Sequence, residues 1–286
     1  MIIDSHAHYT HGAFQNNFRY LTYGEDGYAL SEGDLAQLLH QLQNSDIRCS
    51  IEPGVSLSGC QEILQLCAQQ PGYLFPAIGV HPTRCISEQW SGRHSLASLA
   101  DTPGIVAIGE TGLDFHYERK NQHRLTQYMW FLYQLNLARK KKLPLILHVR
   151  DAHKAALAIL KHHPARTLGG VIHCFYGDTA LAKQYLDLGY HIGIGGSLLQ
   201  NTERVKSLQD AVIHIPTEKI LLETDAPFIL PYCKDTLPPK LLRRARNTSL
   251  ILPAVIQKIA ELKNISPAEV EAITTQNAIR LFSLPF

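Results

Sequence analysis

The chain has 286 residues, 45% hydrophobic and 18% charged, so it has the material for a large buried core and is neither disordered nor fibrous. Its 27 Lys and Arg against 25 Asp and Glu leave a net charge of +2, which excludes a surface built throughout to bind polyanions or membranes. No run approaches the roughly 18 to 20 apolar residues of a membrane span, and no basic segment followed by an apolar run opens the chain, so neither insertion nor secretion is expected.

In chain order, an apolar run at residues 1–3 leads into Asp4 and predicts the first strand. The stretch 10–32, carrying Phe14, Phe18, Tyr20, Tyr23 and Tyr28, is the least regular and is expected to be a long loop, either a lid with stacking aromatics or, the favoured reading, a surface loop whose tyrosines pack on the barrel rim. Further strands are predicted at 48–51, 73–80, 105–109, 143–149, 170–173, 190–195 and 220–223. Several are almost continuously apolar, as strands buried on both faces are. Helical periodicity falls between them at 33–44, 58–69, 121–142, 152–162, 178–187, 201–212 and 249–263. The strands recur at about 31 residues, the size of a βα unit. Eight such units in one chain are the arithmetic of a closed (β/α)8 barrel, read here as a single domain over 1–286. The first strand ends in Asp-Ser-His-Ala-His, with no glycine-rich turn of the dinucleotide-binding kind.

Cys49, Cys60, Cys67, Cys85, Cys174 and Cys233 are scattered without a CxxC pair, which predicts reduced thiols in a cytoplasmic protein.

In a barrel, side chains at the C-terminal ends of the strands converge on one mouth. Asp4, His6 and His8 share a face there because strand side chains alternate. Glu110, His148, His173, Glu223 and Asp225 follow later apolar runs in the same way. Any one such histidine is more often a hydrogen-bonded rim residue than a ligand. Four together with carboxylates suit borderline divalent metals and suffice for two ions. His6 and His8 are expected to hold one metal, His148 and His173 the other, with Glu110 as bridge. Asp225 is expected to ligate the first metal and accept a proton from the attacking water. Asp4 is read as orienting a ligand, and Glu223 as a neighbouring partner, a substrate contact or a satisfied strand carboxylate. His81 is expected to line the mouth or cap the turn before Pro82. Arg150, and Lys240, Arg243, Arg244 and Arg246, lie where they can meet phosphates. The basic residues at 139–142 suit a helix C-terminus at the other end of the strands and are assigned no function.

These residues resemble the TatD family of metal-dependent hydrolases. The resemblance rests on Asp4-Ser5-His6-Ala7-His8, Gly79-Val80-His81-Pro82, Gly109-Glu110-Thr111-Gly112-Leu113-Asp114, His148 with Arg150 and Asp151, His173-Cys174-Phe175 and Glu223-Thr224-Asp225-Ala226-Pro227. Asn277-Ala278-Ile279-Arg280-Leu281-Phe282 is similar to the family's closing segment. The resemblance implies a TIM barrel of the amidohydrolase type and two divalent metals drawn from Mg, Mn, Zn or Ni. It also implies a DNase activity, often exonucleolytic, on DNA, with no obligate protein partner inferred. The ligand roles carried over fall on His6, His8, Glu110, His148, His173 and Asp225. After Arg246-Asn247 the family continues Glu-Pro, whereas this chain reads Thr248-Ser249, either of which can cap the next helix. Hydrolysis of a carboxylic ester or amide, including an aminoacyl-tRNA, is the enzymatic alternative, and a metal-stabilised binding protein without turnover is the non-enzymatic one.

Overall fold

The computed structural model describes residues 1–116, 121–233 and 237–286. The elements in chain order are β1 (Ile2–Asp4), the hairpin β2 (Phe18–Gly24) and β3 (Gly27–Gly33), α1 (Leu35–Gln43), β4 (Ile47–Pro53), α2 (Leu57–Gln69), β5 (Leu74–Ile78) and α3 (Arg93–Leu99). They continue with β6 (Ala107–Asp114), α4 (Asn121–Lys141), β7 (Leu145–Arg150), α5 (His153–His162), β8 (Gly170–Ile172), α6 (Thr179–Asp187), β9 (His191–Ile194), α7 (Glu203–His214) and β10 (Ile220–Leu222). The last are α8 (Pro239–Leu242), β11 (Ala245–Arg246), α9 (Leu252–Lys263) and α10 (Pro267–Phe282).

Eight strands form one sheet in the order β1-β4-β5-β6-β7-β8-β9-β10. Its end strands are also joined: Ser5 N donates to Leu222 O at 2.8 Å, Asp225 N donates to His6 O at 2.9 Å, and Ala7 bridges Ala226 in parallel. This is the (β/α)8 barrel expected from the strand spacing. The chain divides by its internal contacts into two compact units. The first is Met1–Ile51, Cys174–Lys183 and Gly193–Ala278; the second is Glu52–His173, Gln184–Ile192 and Ile279–Phe286.

In the first unit, α1 starts at a capping box in which Asp34 accepts from the Gln37 amide and the Gln37 side chain accepts from the Asp34 amide. Residues 10–32 form no long loop. A 3-10 turn, Gly12–Phe14, is followed by β2 and β3, paired antiparallel from Phe18↔Gly33 to Gly24↔Gly27, with β11 parallel to β2. Glu25 and Asp26 make the two-residue connection, and Gly27, at φ 88°, takes the left-handed conformation that a residue with a Cβ resists. Rings in and beside this stretch pack on one another: Tyr9, Phe14, Phe18 and Tyr20 are buried and successive centroids lie 5.2, 5.1 and 5.6 Å apart. Thr248 and Ser249 do not cap α9 with their side chains. A 3-10 turn, Ser249–Ile251, intervenes and both hydroxyls bond elsewhere.

In the second unit, the N-terminal half of β7 is inaccessible on both faces, with Leu145, Ile146 and Leu147 at 0% exposure. β6 runs on to Asp114, so Glu110 sits inside the strand rather than at its end. The β6–β7 register shifts between Ile108 and Thr111, a bulge that re-aims the intervening side chains. Gly112, at φ 141°, permits the return to pairing, since a Cβ there would stand 2.0 Å from His148 O.

Candidate metal centre

In the first unit, His6, His8 and Asp225 place one ligand atom each within 4.8 Å of one another. His6 Nε2 and His8 Nε2 are 3.1 Å apart, and Asp225 Oδ1 lies 3.4 Å from His8 Nε2 and 3.8 Å from His6 Nε2. The two histidines come from β1's C-terminal continuation and are buried, while Asp225 follows β10 and remains partly open to solvent. Three convergent donors with solvent access form the open kind of site that keeps room for water or substrate.

Asp4 stays clear of the imidazoles and orders the backbone that carries them. Its Oδ1 accepts from the amides of His6 and Thr224, each at 3.1 Å, and its Oδ2 accepts from the hydroxyls of Thr224 and Ser249, each at 2.6 Å. Burial pushes its carboxyl up to about 6, although the hydrogen bonds from Ser249, Thr224 and His6 oppose the shift. Ser249 is fixed in turn by Tyr9, whose hydroxyl lies 2.6 Å from Ser249 Oγ and accepts from Ser249 N at 3.1 Å. Thr248 Oγ1 donates to Leu21 O on β2 at 3.0 Å. Asn247 Nδ2 donates to Thr224 O and Ile229 O, holding the turn that presents Asp225. Glu223 is inaccessible, and its Oε1 accepts from the Cys174 amide.

In the second unit, His148 lies between two carboxylates. Its Nδ1 is 2.9 Å from Glu110 Oε1 and its Nε2 is 3.0 Å from Asp114 Oδ2. His81 Nε2 and His173 Nε2 approach the same Glu110 oxygen at 3.4 and 3.8 Å. His81, Glu110 and His148 form a second convergent group. His81 therefore does more than line the mouth: its Nδ1 also accepts from the Thr83 amide at 3.1 Å, tying down the turn as expected.

The charges follow from this geometry. Burial opposes protonation of His148, but the Asp114 and Glu110 hydrogen bonds outweigh it and bring the imidazole up to about 9. Burial raises Asp114, and the hydrogen bond and charge of His148 more than reverse this, leaving it below the usual carboxylate value. Burial holds His81 below the usual histidine value despite the nearby Glu110.

Asp114 is the residue that sequence reasoning missed as a site residue. Its Oδ2 holds His148, its Oδ1 accepts from His116 N at 2.9 Å, and its backbone is clasped by the Gln127 amide on α4. Its place four residues after Glu110 on one strand, hence on the same face, was the available signal. Arg150 ends β7 and is exposed, while Arg246 Nε donates to Ala13 O at 3.2 Å and so braces the first unit. The imidazole and carboxylate donors of both groups fit a borderline divalent cation. All six cysteines are free, and among the described residues no helix is long and apolar enough to cross a membrane.

The 3'-5' ssDNA/RNA exonuclease TatD of Erwinia tasmaniensis is 34% identical over 253 residues, 88% of this chain and 94% of the relative. The uncharacterized metal-dependent hydrolase YabD of Bacillus subtilis is 33% identical over 212 residues, 74% of this chain and 78% of the relative. YJJV, a TatD homologue from Escherichia coli K12, superposes with a TM-score of 0.81 at 24% identity, covering 99% of this chain and 98% of its own, a likeness that bears on the fold alone. The family model described as TatD related DNase matches residues 3–283, and the chain belongs to that family of metal-dependent hydrolases.

Proposed function

We propose that the chain is a deoxyribonuclease that removes nucleotides from an end of single-stranded DNA, using two divalent cations, and that residues 1–286 act as one catalytic domain. The observation that carries the reading is the pair of convergent imidazole and carboxylate groups, His6–His8–Asp225 and His81–Glu110–His148, in which Glu110 lies midway along β6 and the others lie in the C-terminal half of a barrel strand or beyond its end. The exonuclease name of the Erwinia relative supports the substrate. His6, His8 and Asp225 would hold one cation, and Glu110, His148 and His173 the other; the bridging role of Glu110 belongs to the same proposal. A divalent cation so held supplies Lewis acidity and lowers the pKa of water.

The chain's own residues do the rest. Asp225, partly open to solvent, accepts the proton of the attacking water. Asp114 keeps the His148 ring in one orientation, and Asp4 fixes the backbone between β1 and β10. Arg150, exposed at the end of β7, is available to a backbone phosphate.

The test is product release from end-labelled single-stranded DNA in Mg or Mn, with chelator and with Glu110→Gln. Stepwise mononucleotide release that chelator and the substitution both abolish is the expected result. Bound metal without release in any metal would overturn the nuclease reading and direct the search to ester and amide substrates.

A further inference from the structure

The basic residues that close α4 were assigned no function from the sequence, and one of them lines a cavity at the far end of the strands. Arg139, from the last turn of α4, meets Lys161 and His162 at the end of α5 and His163, Pro164, Arg166 and Thr167 of the following 3-10 turn. These residues, exposed apart from the half-buried His163, line an open depression of about 710 Å³ within the second unit. They immediately precede β7 and β8, whereas His148 and His173 stand at or beyond the opposite ends of those strands. The cavity is therefore separate from the metal centre.

The lining contains no carboxylate. Among the described residues no acidic side chain pairs with Arg139, Lys161 or Arg166, although Lys141, two residues on from Arg139, is paired with Asp101. One cation is held in place: Arg166 Nη1 donates to Lys161 O at 3.1 Å, which fixes the guanidinium at the end of α5. His163 is oriented as well, because its Nδ1 accepts from the Ala165 amide at 3.1 Å. Burial, then the charge of Arg139, keeps this imidazole below its usual value, so its neutral form carries hydrogen on Nε2 and can donate. Thr167 Oγ1 donates to Pro164 O at 3.1 Å.

Helix dipoles do not account for the arrangement. Each C-terminus presents about half a negative charge, so the ends of α4 and α5 offset about one of three full cations. A preformed pocket of donors and unpaired positive charge matches an acceptor-rich anion, and the guanidinium forks match a tetrahedral oxyanion. The geometry points to a second ligand site here, one that takes a phosphoryl group borne by a small molecule of nucleotide size. It stands independently of the nuclease reading.

The test is titration calorimetry of the full chain in chelator, with inorganic phosphate in one arm and a nucleoside 5'-monophosphate in the other. Arg139→Ala/Arg166→Ala, both at exposed positions, is expected to weaken binding at least ~10-fold, the effect of ~1.4 kcal/mol. Arg139→Lys is expected to retain most of the affinity, and unchanged melting of the double variant separates lost binding from lost fold. Binding of phosphate alone as tight as that of the nucleotide assigns recognition to the phosphoryl group, and tighter nucleotide binding, also lost in the double variant, adds contacts within the same cavity. Binding that survives the double variant but is lost in His148→Ala would overturn the proposal, as would no saturable binding up to ~10 mM.

Discussion

Asp114 uses both carboxylate oxygens, one on the His148 ring and one on the His116 amide, so it sets a side chain and the backbone of β6's end at once. Such a carboxylate behind a metal-binding imidazole is worth about 10- to 100-fold in metal affinity. Asp114→Asn is therefore expected to weaken divalent metal binding by about that factor while the barrel still folds, as read by competition with a chelating dye and by circular dichroism. Ser249 is the other residue whose role is local and sharp. Its hydroxyl donates to Asp4 and lies against the Tyr9 hydroxyl in a fully buried network. Ser249→Ala leaves a buried oxygen short of a donor, and a loss of about 1–3 kcal/mol is expected in urea unfolding. An unchanged midpoint would show that this network does not support the fold. The pair Thr248-Ser249, where the family has Glu-Pro, thus does its work through tertiary hydrogen bonds rather than as a helix cap.

Among elements, the hairpin β2–β3 shows how a signal can be present and still be misread. The alternate spacing of Phe18 and Tyr20 and the Asp26-Gly27 step beside the turn are hairpin features, but the flanks mix polar and apolar residues on both faces. The pattern cleared up only once β11, more than 200 residues on, supplied an edge and Thr248 bonded the Leu21 carbonyl. Leu21 is inaccessible on β2. Leu21→Ala is expected to cost about 2–5 kcal/mol, measured as a lower denaturation midpoint, if the hairpin folds with the barrel. A surface ornament would tolerate the change. α10 is absent from the helices expected from periodicity, although Ser266-Pro267-Ala268-Glu269 carries a cap residue and an N1 proline, and Glu269 N donates to Ser266 Oγ at 3.2 Å. α3 was not legible, since it has only seven residues, makes no side-chain cap at Gly92 and buries Leu96 alone.

For the molecule as a whole, His148, as a proposed metal ligand, would couple protons, metal and stability. The Asp114 and Glu110 carboxylates bring its folded pKa to about 9, above the ordinary histidine value of 6.5. A group raised in this way contributes stability that is fully present below about 6.5 and is lost as pH rises through about 9. Metal binding needs the neutral imidazole, so it releases a proton and strengthens over the same interval. Without metal, the melting temperature is expected to fall between pH 6.5 and 9, while the increment from added Mn or Zn grows. Parallel melting curves in chelator and in metal check both signs. A metal increment that is flat with pH would remove His148 from the ligand set.

The sequence by itself determined the strand spacing, the buried character of β7 and the positions of His6, His8, Glu110, His148, His173 and Asp225, because apolar runs and period-two alternation are local properties of a chain. It also carried the resemblance that the family match bears out. Tertiary structure decided what these residues meet. The β6 bulge put Glu110 inside a strand, Asp114 reached His148 across the β6–β7 pair, and Ser249 closed on Asp4 from 245 positions away. Arg139, Lys161 and Arg166, each an ordinary helix-end cation in sequence, acquired a common cavity only when α4 and α5 ended side by side. Partnerships of this kind depend on register and on long-range closure, and no local pattern encodes either.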